Sequence, residues 1–178
     1  PKPTGWTGSI SNVQAEFCLA VRDQIDARNG RHWICFRENF RVCPPTPSPR
    51  AGASGGPEEF WLAPTTMWLP HLVFDKMPPC PNGCGRGRVR VKQWNPGGPV
   101  RLLCLDRSEW LDTMTYECES CHGRFRGTNP DSVAKMEINE QVYFGITQGA
   151  RTHICLDLRK FITDCISTSN ANQCATLV

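Results

Sequence analysis

Charged and apolar residues alternate along 88–94, RVRVKQW. A period of two is the mark of a strand with one face on a core and the other in water. The run 100–105, VRLLCL, is apolar and β-prone, and 112–118, DTMTYEC, completes a third strand. Gly97-Gly98-Pro99 supplies the turn between the first two. Two other stretches carry a helical period instead. Over 11–28, Val13, Phe17, Ala20, Val21 and Ile25 fall on one face, Ser11 and Gln14 have the spacing of a capping box, and Asn29-Gly30 reads as the C-cap. Over 155–167, Leu158, Phe161, Ile162, Cys165 and Ile166 share a face, with Arg159 and Lys160 on the other side. His32 to Phe36 reads as a short strand or buried connection, and Asn129-Pro130-Asp131 as the start of a turn or short helix through Met136.

Between these patterned stretches, 44–59 (PPTPSPRAGASGGPEE) contains no large apolar residue. Such a segment cannot offset the entropy of ordering and reads as a flexible linker. The expected organisation is therefore an N-terminal helical segment at 1–43, loosely attached and separable; the linker at 44–59; a metal-stapled domain at 60–128; and a helical C-terminal extension at 129–178. Phe60-Trp61, Pro64, Trp68-Leu69-Pro70 and Phe74 form an aromatic-proline arm leading into the metal-stapled domain, where proline disfavours helix.

Composition narrows the function classes only a little. Apolar residues at 39% and charged residues at 21% fit a folded chain. The net charge of +3 permits a nucleic-acid partner without demanding one. No apolar run approaches the roughly 20 residues of a membrane span, so no membrane partner is expected. The chain has 11 cysteines, an odd number, with no N-x-[ST] acceptor and no signal-like start. Those features place it in a reducing, intracellular compartment, with the nucleus as the expected site. A chain beginning at Pro1 rather than Met reads as a piece of a larger protein.

The cysteines carry the sharpest signal. Cys80-Pro81-Asn82-Gly83-Cys84-Gly85 and Cys118-Glu119-Ser120-Cys121-His122-Gly123 are two close pairs, each beside a glycine, bracketing the strand region. Close pairs let a tight turn aim two sulfurs at one metal, and Zn²⁺ favours four tetrahedral ligands. The expected ligands are Cys80, Cys84, Cys118 and Cys121, holding one structural Zn²⁺; four thiolates leave no open position for water or substrate. His122 is a substitute ligand. Weaker candidate sites are Cys18, His32, Cys35 and Cys43, and His153, Cys155, Cys165 and Cys174. Cys104, between leucines, reads as core. No phosphate-binding glycine loop, HExxH, GxSxG or deaminase H-x-E occurs, so no catalytic residues are assigned.

A second signal is basic. Arg86, Arg88, Arg90 and Lys92 recur every second residue and so project from one face of a strand, with Arg101, Arg124 and Arg126 expected to join them and Trp94 at the strand's end to stack on bases. Eight basic against five acidic residues between 80 and 128 moderate that field, and the acids Asp106, Glu109, Asp112, Glu117 and Glu119 read as solvated surface.

The residues Phe60-Trp61, Pro64, Trp68, Pro70, Cys80-Pro81, Cys84-Gly85 and Trp94, followed by Pro99, Arg101, Leu103, Asp106, Trp110, Tyr116, Cys118, Cys121, Phe125 and Gly127, form a pattern. Over 60–127 that pattern resembles an uncharacterised eukaryotic zinc-ribbon family, domain of unknown function 6729. Two features depart from it: the first knuckle has one extra residue, and Val100 interrupts the Pro-Arg dipeptide. The resemblance implies a recognition module beside a separate catalytic domain, and transfers no activity.

The fold class expected is α+β: a small, mainly β, three-stranded zinc ribbon with flanking helices. The expected function is a non-catalytic zinc-binding module of a larger protein, contacting DNA or RNA through Arg86, Arg88, Arg90, Lys92 and Trp94. The alternatives are a scaffolding ribbon that binds another protein through the arm from Trp61 to Phe74, and a fragment of an enzyme whose active site lies elsewhere.

Overall fold

A computed structural model describes residues 2–6, 10–27, 41–43, 62–106, 108–144, 146–148, 153–155 and 158–166. The linker at 44–59, the connection at 32–36, the Asn29-Gly30 cap, Phe60-Trp61 and the segment 167–178 lie outside these residues.

The strands are β1 (Arg41–Val42), β2 (Thr65–Trp68), β3 (Val89–Trp94), β4 (Val100–Leu103), β5 (Ser108–Cys118), β6 (Arg124–Arg126), β7 (Ile146–Gln148) and β8 (His153–Cys155). The helices are α1 (Asn12–Ala27), α2 (Pro70–Val73), α3 (Pro130–Ala134), α4 (Ile138–Phe144) and α5 (158–166). The sheet is built around β5, whose 11 residues serve two sets of neighbours. Its first half pairs in parallel with β2, from Thr65↔Trp110 to Trp68↔Thr113, and antiparallel with β4, from Val100↔Leu111 to Leu103↔Ser108. Its second half pairs antiparallel with β3, from Trp94↔Met114 to Val89↔Cys118, and with β6 at Tyr116↔Phe125 and Glu117↔Arg124. Strands β1, β7 and β8 extend the first half into the path β1-β2-β5-β4-β8-β7.

The architecture is thus mixed α/β, in line with the coarse expectation. A self-contained three-stranded ribbon is not what the sheet displays, because β5 runs straight on from the β3–β5–β6 region into a six-strand sheet. The C-terminal region is also not helical throughout: β8 pairs in parallel with β4, and β7 with β8. Strands of three residues are too short to show an alternation. Helix α5 lies within its expected span, but Phe161, Ile162 and Ile166 on its apolar face are exposed.

Alternation along β5 puts Met114, Tyr116 and Cys118 on the core face, against Val89, Val91 and Phe125. Val21 and Ile25 of α1 belong to the same cluster, so α1 is packed into the domain rather than loosely attached. Ser11 Oγ accepts from the Gln14 amide at 3.1 Å, the first half of the expected capping box. The Gln14 side chain does not return to cap; it clamps Ala63, accepting from the Ala63 amide at 2.7 Å and donating to the Ala63 carbonyl at 3.0 Å. Further along, Arg22 donates to both Asp112 oxygens at 2.7 and 2.8 Å. Its guanidinium lies 4.8 Å from the Trp6 ring centroid and 5.1 Å from that of Trp94. The buried face of α1 is therefore Gln14, Ala15, Cys18, Val21, Arg22 and Ile25, while Ala20 is exposed. A hydrophobic pattern has no means of counting Gln14 and Arg22 as interior.

The aromatic-proline arm is interior too. Met67, Trp68 and Leu69 are at most 4% exposed, and Trp68 donates its indole N–H to the Gly127 carbonyl at 2.9 Å. Of the arm from Trp61 to Phe74, this buries the middle, while Leu72 and Phe74 are half-buried and Trp61 lies outside the described residues. Gly127 has no room for a side chain: a Cβ there would lie 2.6 Å from Thr113 Oγ1 and 3.1 Å from the Tyr116 ring. Gly127→Ala is expected to cost about 1–3 kcal/mol through overpacking, read as a fall in the urea midpoint.

Candidate metal centre and basic face

Two knuckles present the cysteines, and each is closed by a backbone bond. The Cys80 amide donates to the Gly85 carbonyl at 3.3 Å, and the Cys118 amide to the Gly123 carbonyl at 3.0 Å. Both loops close over the same five-residue step, so the extra residue inside the first pair leaves its closure matched to the second. Gly83 and Gly85 hold left-handed backbones (φ 83° and 84°), as does His122 at φ 55°. At Gly123 a Cβ would approach Cys121 Sγ to 3.2 Å and the Asn82 amide nitrogen to 3.3 Å, which leaves glycine the residue that fits between the knuckles.

The four sulfurs of Cys80, Cys84, Cys118 and Cys121 lie within 4.8 Å of one another, with Cys80 and Cys121 3.6 Å apart. A tetrahedron of thiolates with arms of about 2.3 Å has edges of about 3.8 Å, so the donor set fits such a metal. All four thiols are free of disulfides. Their electrostatics differ: the Asn82 amide, together with the Gly123 backbone, holds the Cys121 thiol down to about 6, whereas its contact with Cys121 pushes Cys84 up to about 12. Crowded sulfurs of this kind ionise together only beside a cation. The cluster can hold a metal ion. Among the described residues it is the single such group, and His122 is not part of it. Cys18 is buried against Thr65 and Gln14, Cys43 is exposed, and His32, Cys35 and Cys174 lie outside the described residues. Neither secondary site is assembled among the described residues. Cys104 is only half-buried, packed against the cluster that holds Trp68 and Leu102.

The first knuckle is braced from the C-terminal side. Asn129 caps α3 by accepting from the Ser132 amide at 3.0 Å, and Ser132 Oγ donates to the Pro79 carbonyl at 2.7 Å. Lys135 donates to the Pro81 carbonyl, and Arg86 pairs with Glu140 of α4, including one bond at 3.1 Å. Under the second knuckle, fully buried Tyr116 hydrogen-bonds His71 Nδ1 at 2.7 Å, and burial lowers His71 to about 4.

Arg86 is thereby removed from the basic face, and Arg88 lies just before β3 rather than within it. Arg101 sits on β4, bonded to Ser108 at 3.4 Å, away from the others. Trp94 is half-buried and packed on the core side rather than standing on the basic face. A β-bulge between Val91 and Gln93 reverses the alternation, so Lys92 and Gln93 are both exposed and Trp94 falls on the core side opposite Met114. Its indole N–H donates to Asp26 at 2.8 Å and its ring meets Arg22.

What the sheet does gather is centred on Glu117. Arg90, Lys92 and Arg124 bond its carboxylate at 3.0, 3.1 and 3.0 Å, and Arg90 also reaches Glu119 at 3.5 Å. Lys92, then Arg124 and Arg90, hold Glu117 down to about 2. Arg126 shares the outward face of β6 with Arg124. Glu117, Asp112 and Glu109 are all buried, Glu109 against Thr66 Oγ1 at 2.7 Å, which corrects the reading of these acids as solvated surface. No sequence signal marked Glu117 as a hub, because its role depends on a register that places it between Arg90 and Arg124.

No described helix is long and apolar enough to cross a membrane. No family model, no curated protein and no solved structure matches this chain.

Proposed function

We propose that Cys80, Cys84, Cys118 and Cys121 hold one structural Zn²⁺, and that the neighbouring basic face contacts nucleic acid as a non-catalytic module of a larger, nuclear protein. Zinc is favoured by an all-thiolate, four-donor set, whose closed shell leaves no position for a reacting water. The resemblance to a zinc-ribbon family supports the same metal. The observation that carries the binding role is the outer face of β3–β5–β6. It presents Arg90, Lys92, Arg124 and Arg126, with exposed Arg88 in the turn just before β3, against Glu117 on β5 and Glu119 just past its end. Among the described residues, Arg88 and Arg126 have no acidic partner.

Cations that replace phosphate counterions give salt-dependent binding, with a log–log slope of about −0.9 per phosphate on duplex DNA. Between three net and five total cations, the expected slope is about −2.7 to −4.5. Arg88→Ala together with Arg126→Ala breaks no ion pair and should flatten the slope by about 1.8, measured by fluorescence anisotropy. Binding that ignores salt, or a slope unchanged in the double variant, would show that this face is not the contact.

A further inference from the structure

Resting on the reading above, we infer that the partner is a double helix held through the phosphates of both strands, not a single strand held by base stacking. Proteins that hold single strands lay bases on aromatic rings beside a charged groove. Among the described residues this face has no aromatic side chain: Trp94 is turned inward by the bulge, and Tyr116 and Phe125 lie on the buried side of the same strands. A single strand laid here would gain charge contacts and leave its bases without a platform.

The arrangement of charge points the same way. The cations form two rows, Arg90 and Lys92 along β3, with Arg88 in the turn before it, and Arg124 and Arg126 along β6. Between them lie Glu117, on β5, and Glu119, in the turn just past its end. A lone phosphate chain lying along the centre would meet carboxylates. Two phosphate chains, one over each outer row, meet cations and leave the acids beneath the gap. Rows two strand spacings apart are separated by about 9.6 Å. That lies between the widths of the minor and major grooves, about 6 and 12 Å, so long Arg and Lys side chains reach phosphates on both sides of a groove.

The test uses the full chain with a labelled DNA duplex of about 20 base pairs and oligo(dT) of equal length, compared by anisotropy at one salt concentration. The duplex carries about twice the charge per unit length, and the expected result is duplex binding at least about tenfold tighter. Arg126→Ala should weaken duplex binding by a larger factor than it weakens the binding of oligo(dT). A preference below tenfold, or a preference for oligo(dT), overturns the duplex assignment while leaving the nucleic-acid reading standing. Binding to neither probe removes that reading and this inference together.

Discussion

Cys118→Ser is expected to release the metal and unfold the β3–β5–β6 region. Cys118 is fully buried, ends β5, and shares a core cluster with Val89, Tyr116 and Phe125. Serine keeps the volume but is a poor zinc ligand, and structural zinc contributes on the order of 10 kcal/mol to folding where the site does not exist beforehand. A loss of that size is comparable with the whole stability of a typical domain, about 5–15 kcal/mol. Metal analysis should find about one zinc per chain in the parent and far less in the variant, with the cooperative thermal transition lost. Cys18→Ser is the control. That thiol is equally buried but belongs to another cluster, so its zinc content should be unchanged and its cost only about 1–3 kcal/mol. Equal behaviour of the two variants would show that the cysteine cluster is ordinary core.

Arg22→Ala should also destabilise the fold strongly, for a different reason. Burial pushes the Asp112 carboxyl up, and the Arg22 guanidinium opposes that shift. Both side chains are inaccessible, at 8% and 0% exposure. Removing the arginine leaves a carboxylate with no compensating charge, which costs about 3–5 kcal/mol, and it also withdraws the cation from between Trp6 and Trp94. Replacing both partners with apolar residues, Arg22→Met and Asp112→Leu, removes the orphaned charge and should recover most of the loss. Urea midpoints of the single and double variants decide it. A double variant no more stable than the single one would mean that the pair itself, not the avoidance of an unpaired charge, stabilises this junction.

The legible parts of the chain were those where a local period and a tertiary role coincide. Val89 and Val91 alternate with charge and do face the core; α1 begins at Asn12, beside its cap Ser11; the four cysteines meet as their spacing implies. The misplaced parts are those where a distant residue decides. Trp94 reads as exposed until the bulge at Val91/Gln93 turns it inward. Arg86 reads as one of a cationic series until Glu140, 54 residues on, claims it. Gln14 reads as a capping-box residue, and Arg22 lies outside the expected apolar face, until Ala63 and Asp112 are brought to them. Strands β7 and β8 were missed because three residues carry too little pattern to set against a neighbouring helical signal.

The clasp between α1 and the sheet also imposes an order in time. Gln14 meets Ala63 across 49 positions of the chain, and Arg22 meets Asp112 across 90. At about 5–20 residues per second of synthesis, Arg22 exists for roughly 5–18 s before its partner has been made. Throughout that interval the sheet on which Val21 and Ile25 pack lacks its central strand, β5. Of the described elements α1 is made first and is among the last to be buried, so on the nascent chain its apolar face waits longest for cover.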